Sequence, residues 1–165
     1  MWRIENYLKY IIGMVLLWLI VWSQSSFGCA PMPTDQMMPR MKKEDYFLYY
    51  PRERAAGNFS RNRDLVFFNQ RSETWGIKTD EFVARVIGLP GDRVRIDNGV
   101  VNVNGDPIPD DYVQDVYKSR DDLPEIIVPR DHLFVLSDMR ANFQLDSRTF
   151  GPISRHSIKG RVKPD

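Results

Sequence analysis

Val94 and Ile96, then Val101 and Val103, alternate with polar residues on either side of Asp97-Asn98-Gly99. Alternation puts one set of side chains on a single sheet face, and Asn-Gly supplies the positive φ values of a tight hairpin turn. Asn104-Gly105 is a second turn signal just beyond it. Further short β-rich runs are Tyr46 to Tyr50 (stopped by Pro51), Leu65 to Phe68, Glu81 to Ile87, His132 to Leu136 and Ile158 to Val162. Pro31, Pro33 and Pro39 hold the preceding stretch extended and non-helical. No segment after Phe27 sustains a helical period, so a mostly β, antiparallel domain is predicted for residues 28–165.

The N-terminus is different. Tyr7 to Trp22 is apolar apart from Lys9 and Gly13. A bilayer core takes about 20 helical residues, which predicts a transmembrane anchor over residues 4–27. Lys9 would snorkel to the headgroups, and Tyr7, Tyr10 and Trp22 would sit at the interfaces. A cleaved leader is the alternative, including one cut before Cys29 to give a lipoprotein anchored there.

Composition excludes more than it selects. The 165 residues carry a formal net charge of +1, which gives no bulk electrostatic drive toward nucleic acid. A single cysteine, Cys29, cannot close an internal disulfide. Neither metal-ligand spacing nor a phosphate-cradling glycine loop is present, so no metal and no cofactor are expected.

Three blocks carry chemistry in their order. The strand Glu81 to Ile87 runs through Ala84-Arg85 into the turn Gly88-Leu89-Pro90-Gly91-Asp92. Before it stands Pro33-Thr34-Asp35-Gln36-Met37-Met38-Pro39, followed by Glu44-Asp45. After it come Ser137-Asp138-Met139-Arg140 and Asp146-Ser147-Arg148, with Gly151 beyond. This ordered string resembles bacterial type I signal peptidases over nearly the whole chain. The resemblance implies their β-sheet architecture and a single-pass protein of the bacterial inner (cytoplasmic) membrane. Its soluble domain would then lie on the periplasmic or extracellular side.

Two departures bear on mechanism. The resemblance implies a serine nucleophile where this chain has Gln36, and a lysine general base where it has Ala84. An amide is not nucleophilic, and a methyl group accepts no proton. A supporting serine is implied where Phe143 or Gln144 stands. Read alone, these changes predict no catalytic residues and a non-catalytic binding, assembly or structural subunit of a membrane or export-linked complex. Two alternatives stand beside it: an active signal peptidase with displaced catalytic residues, and the lipoprotein anchored at Cys29. By resemblance, a peptide or partner groove is expected from Asp35, Gln36, Met37, Pro39, Val83, Ala84 and Arg85, with an extended peptide added beside the strands. Asp138, Arg140, Asp146 and Arg148 are expected to form a charge-assisted network pinning the loop behind it. The expected partners are membrane lipid around the N-terminal helix and a protein or extended peptide in the groove.

Overall fold

The computed structural model describes residues 2–23, 27–52, 59–70, 81–141 and 145–163. Helix α1 (Trp2–Ser23) is followed by β1 (Gly28–Pro31), β2 (Tyr46–Pro51), β3 (Leu65–Asn69), β4 (Glu81–Gly88), β5 (Arg93–Asp97) and β6 (Val100–Val103). Then come β7 (Asp106–Pro107), β8 (Leu123–Ile127), β9 (His132–Leu136), the short helix α2 (Ser147–Phe150), β10 (Ile153–Ser154) and β11 (Ile158–Val162). Seven strands form one sheet in the order β1-β2-β11-β3-β4-β9-β10, and four form a second in the order β7-β6-β5-β8. All the strand pairings are antiparallel.

The hairpin that the alternation predicts is β5–β6, with Val94 opposite Val103 and Ile96 opposite Val101. Asn98 (φ 47°) and Gly99 (φ 83°) both take positive φ, as a two-residue primed turn requires. Residues 2–23 are helical, and side chains from Tyr7 to Trp18 stand exposed. Among the described residues, however, no helix is long and apolar enough to cross a membrane. The expected transmembrane span is therefore not established by the fold.

β4 is the central wall. It is buried from Phe82 to Gly88, on both faces, so it reads as a continuous apolar run instead of an alternating one. Phe82, Ala84 and Val86 pack with Val66, Phe68, Leu133, Val135 and Leu145. Val83 joins Met32, Met37, Phe47 and Phe67. Phe67 meets Phe47 and Tyr49 edge-on, with ring centroids 5.3 and 5.2 Å apart. Ile87 belongs to a third cluster with Val94, Phe134 and Leu136, beneath the small sheet. Full burial of each such large side chain stabilises by about 1.5–3 kcal/mol.

The turn after β4 is fastened at Asp92. Its carboxylate accepts both donors of Arg61 at 2.6 Å, the Leu89 N–H at 2.7 Å and Asn104 Nδ2 at 3.0 Å. Burial pushes this carboxyl up, but those hydrogen bonds and the Arg61 charge outweigh it and hold Asp92 below its ordinary value. Gly91 takes φ 89° inside the turn.

Candidate functional site

The loop between β1 and β2 carries the first block, and methionines root it. Met32 and Met37 are buried and Met41 nearly so, all in the cluster that contains Val83. The loop closes on itself where the Met32 N–H donates to Asp45 O and the Glu44 N–H to Met32 O. The Lys43 N–H donates to Asp35 Oδ1 at 2.7 Å. This closure drives Gln36 inward until it is fully buried.

Two hydrogen bonds fix Gln36. Its backbone carbonyl accepts from the Met139 N–H at 2.9 Å. Its side-chain Nε2 donates to Val83 O, the carbonyl of the peptide bond leading into Ala84. Strand geometry explains why that carbonyl is available. The Val86 N–H and C=O point toward residues 62–64, so Val83 and Arg85, at odd positions, present theirs to the opposite edge. On that edge β9 pairs with β4 only from Arg85 onward. Val83 lies beyond the end of β9, and the Gln36 amide takes the strand's place. Gln36 Oε1 and, two residues earlier, Thr34 Oγ1 are buried without hydrogen-bond partners.

Arg85 turns away from that edge into a buried clamp. Its guanidinium donates to both oxygens of Asp138, at 2.8 and 2.5 Å, and to Asn62 O at 3.1 Å. Tyr112 covers it, with Arg85 Cζ 3.9 Å from the ring centroid. Burial opposes the Arg85 charge, but the Asp138 hydrogen bonds and charge prevail, and its pKa is raised. The Tyr112 hydroxyl is pushed up as well, first by burial, against the lowering fields of Arg140 and Arg85.

Asp146 forms a second clamp. It caps α2 through the Arg148 N–H, binds the Arg148 guanidinium, and accepts the Ser137 N–H and hydroxyl at 2.9 and 3.0 Å. Arg148 also reaches Asp121 at 2.8 Å and Arg140 O at 3.0 Å. The four residues expected to act as one network thus divide. Asp146 and Arg148 pair with each other, Asp138 pairs with Arg85 on β4, and the Arg140 side chain bonds the Tyr112 hydroxyl.

Of the expected groove residues, the structure joins Gln36 to Val83 directly and packs Met37 in the same cluster. Ala84 points to the other face of β4, into the first core cluster. Arg85 is committed to Asp138, Asp35 holds the loop, and Pro39 is exposed after a cis peptide bond. Cys29 is exposed within β1, opposite Leu48. Phe143 and Gln144 lie outside the described residues. Thr34, Asp92 and Tyr112 are the site-region residues that sequence reasoning did not single out. Only Asp92 carried a signal, as the end of the Gly-Leu-Pro-Gly-Asp turn. Among the described residues, no group of His, Cys, Asp or Glu is arranged to hold a metal ion.

The sequence profile described as "Signal peptidase, peptidase S26" matches residues 4–164. The chain belongs to this family. "Signal peptidase I" of Leptolyngbya laminosa is 33% identical over 142 residues, covering 79% of this chain and 64% of that protein. "Probable signal peptidase I-2" of Synechocystis is 38% identical over 140 residues, covering 79% and 59%. "Signal peptidase I" of Bacillus amyloliquefaciens is 29% identical over 169 residues, covering 96% and 85%. The chain thus spans less than two thirds of the length of these cyanobacterial relatives. The crystal structure of a signal peptidase I from Enterococcus faecalis superposes with a TM-score of 0.51 at 23% identity, covering 65% of this chain and 98% of that one. That likeness shows the mostly β signal-peptidase fold.

These findings correct the expectation of a non-catalytic subunit. The relatives bear the name of an enzyme, signal peptidase I, and nothing in the comparisons points to an inactive form. Reading the loss of two side chains as the loss of the activity went further than those positions allow. The alternative of an active signal peptidase fits those names better.

Proposed function

We propose that the protein is a signal peptidase that cleaves an extended segment of exported proteins at the membrane. The observation that carries this reading is the family match across residues 4–164, together with relatives named as signal peptidase I. The Val83 edge of β4 has no β9 partner and is covered by the single side chain of Gln36, so a peptide that displaces that side chain gains a strand position there. Gln36 Oε1 and, two residues earlier, Thr34 Oγ1 are buried and unpartnered, and gain hydrogen-bond partners where a peptide moves that loop. The nucleophile and base are carried by groups other than the side chains of Gln36 and Ala84. Exposed apolar side chains along α1 support a membrane anchor, with the β-domain on the periplasmic or extracellular side of a bacterial inner membrane.

The test is a cleavage assay on a purified preprotein, with the full-length chain in detergent or liposomes. Discrete cleavage by the wild type is expected. Mass spectrometry of the protein after treatment with an acylating inhibitor would then locate the nucleophile. A wild type that cleaves no faster than a blank, while the Gln36→Ser, Ala84→Lys double variant does cleave, would overturn the displaced-residue reading.

A further inference from the structure

A second site lies behind the clamps, between the tip of the β5–β6 hairpin and the segment before β8. It is a cavity of about 250 Å³ whose wall includes Asn98, Ile108, Asp110, Lys118, Ser119 and Arg140. The segment approaches the hairpin so closely that a Cβ on Gly99 would stand 2.0 Å from Ser119 O. That contact, with the Gly99 N–H donating to Asp121 O at 2.9 Å, gives the cavity a fixed wall.

Arg140 is the unexplained group in that wall. It is 3% exposed, yet its Nε–H has no hydrogen-bond partner. Its Nη2 donates to the Tyr112 hydroxyl at 2.8 Å, a neutral acceptor. The other buried arginines are treated differently: Arg85 has both oxygens of Asp138, and Arg148 has both of Asp146. Among the described residues Arg140 is paired with no carboxylate. A buried guanidinium without an anion is costly, because it has lost water and gained no counter-charge.

The remaining lining suits an anion with an apolar body. The Ser119 hydroxyl accepts from Arg148 Nη1 at 3.3 Å, which leaves its own hydrogen free to donate elsewhere. Lys118 is held between Asp115 at 3.1 Å and Asp110, the acid in the wall, at 3.7 Å, so the positive charge the wall offers an anion is that of Arg140. Val100, Val101 and Ile108 supply aliphatic surface.

We propose that this cavity binds a small aliphatic carboxylate, its oxygens on Arg140 and Ser119 and its hydrocarbon part against Val101 and Ile108. The inference is independent of the peptidase reading. The carboxylate could be that of a free short-chain acid or of a peptide C-terminus with an aliphatic last residue, which share this chemistry.

Isovalerate and N-acetylvaline distinguish the two sources, titrated into the full-length ¹⁵N-labelled protein in detergent at constant ionic strength. The arginine Nε–H resonance missing from an Arg140→Lys variant identifies the reporter. A saturable shift of that resonance by either acid is expected; the backbone amides of Gly99 and Ser119, which line the cavity, report binding in both proteins, with affinity about tenfold weaker in Arg140→Gln. The tighter acid names the source. Should Arg140→Gln not fold, Ser119→Ala carries the same comparison, with weakened binding expected. The proposal fails if neither acid saturates, if phosphate binds as well as both, or if the folded variant binds like wild type.

Discussion

Removing Asp138 should be among the most damaging single changes in this protein, and the reason is the arginine it leaves behind. The Arg85 and Asp138 side chains are 4% and 3% exposed, and two hydrogen bonds of 2.8 and 2.5 Å join them. In Asp138→Ala the guanidinium stays buried under Tyr112 with one neutral acceptor left, Asn62 O. Breaking a buried pair from one side costs about 3–5 kcal/mol. A domain of this size has about 5–15 kcal/mol in all. With a urea dependence of about 1–3 kcal/mol per molar, the far-UV dichroism midpoint should fall by more than about 1 M. Arg85→Met combined with Asp138→Leu removes both charges and should be closer to wild type than Asp138→Ala. Arg93–Glu125, exposed and screened by solvent, is the control pair, and Arg93→Ala should hardly move the midpoint. The reasoning is refuted if Asp138→Ala costs less than about 1 kcal/mol, or if the double variant is worse than the single one.

Three further outcomes follow from the same structure. The Asp92 carboxyl is held below its ordinary value, so its stabilisation is present above the ordinary carboxylate range and is lost as pH falls through the depressed value. Asp92→Asn should flatten the acid limb of a stability–pH curve measured by thermal melts. Gly160→Ala would place a Cβ 2.4 Å from both Tyr49 Cδ2 and Tyr50 O. Backbone on one side prevents easy relief, so a lowered melting temperature is expected, with Tyr49→Ala giving only partial rescue. Gln36→Ala leaves the buried Val83 carbonyl without its donor, at a cost of about 1–3 kcal/mol. Gln36→Glu should cost more at neutral pH, where two acceptors face each other, and the gap between the two variants should narrow in acid.

The strands that sequence revealed are those where composition and period agree. β2, β3, β4 and β9 are dense in branched and aromatic residues, β11 alternates Ile158, Gly160 and Val162 with charged residues, and the β5–β6 hairpin carries its own turn. β1, β8 and β10 were not legible. β1 ends at a proline, β8 contains Pro124, and β10 is two residues long, so neighbouring strands decide their conformation and not their own residues. The site was legible as blocks but not as contacts. Nothing local in Gln36 shows that its amide meets Val83, or in Asp138 that its partner is Arg85, because sequence spacing carries no information about such long closures. Arg140 misled for the same reason: nearness in sequence to Asp138 and Asp146 suggested a carboxylate partner, and the structure gives it a tyrosine hydroxyl. The functional expectation failed at a different level, by letting two side chains outweigh the chain-wide pattern that identified the family.

β11, the last strand among the described residues, lies between β2 and β3 and is hydrogen-bonded to both. Until residues 158–162 are available, β1–β2 and β3–β4 have no backbone link across that gap, and the large sheet exists as two halves. The Met139 N–H that holds Gln36 also comes from the later part of the sequence. A chain emerging from its amino terminus therefore cannot close the Gln36–Val83 region until residue 139 has been made, nor join the two halves of the large sheet until residues 158–162 follow.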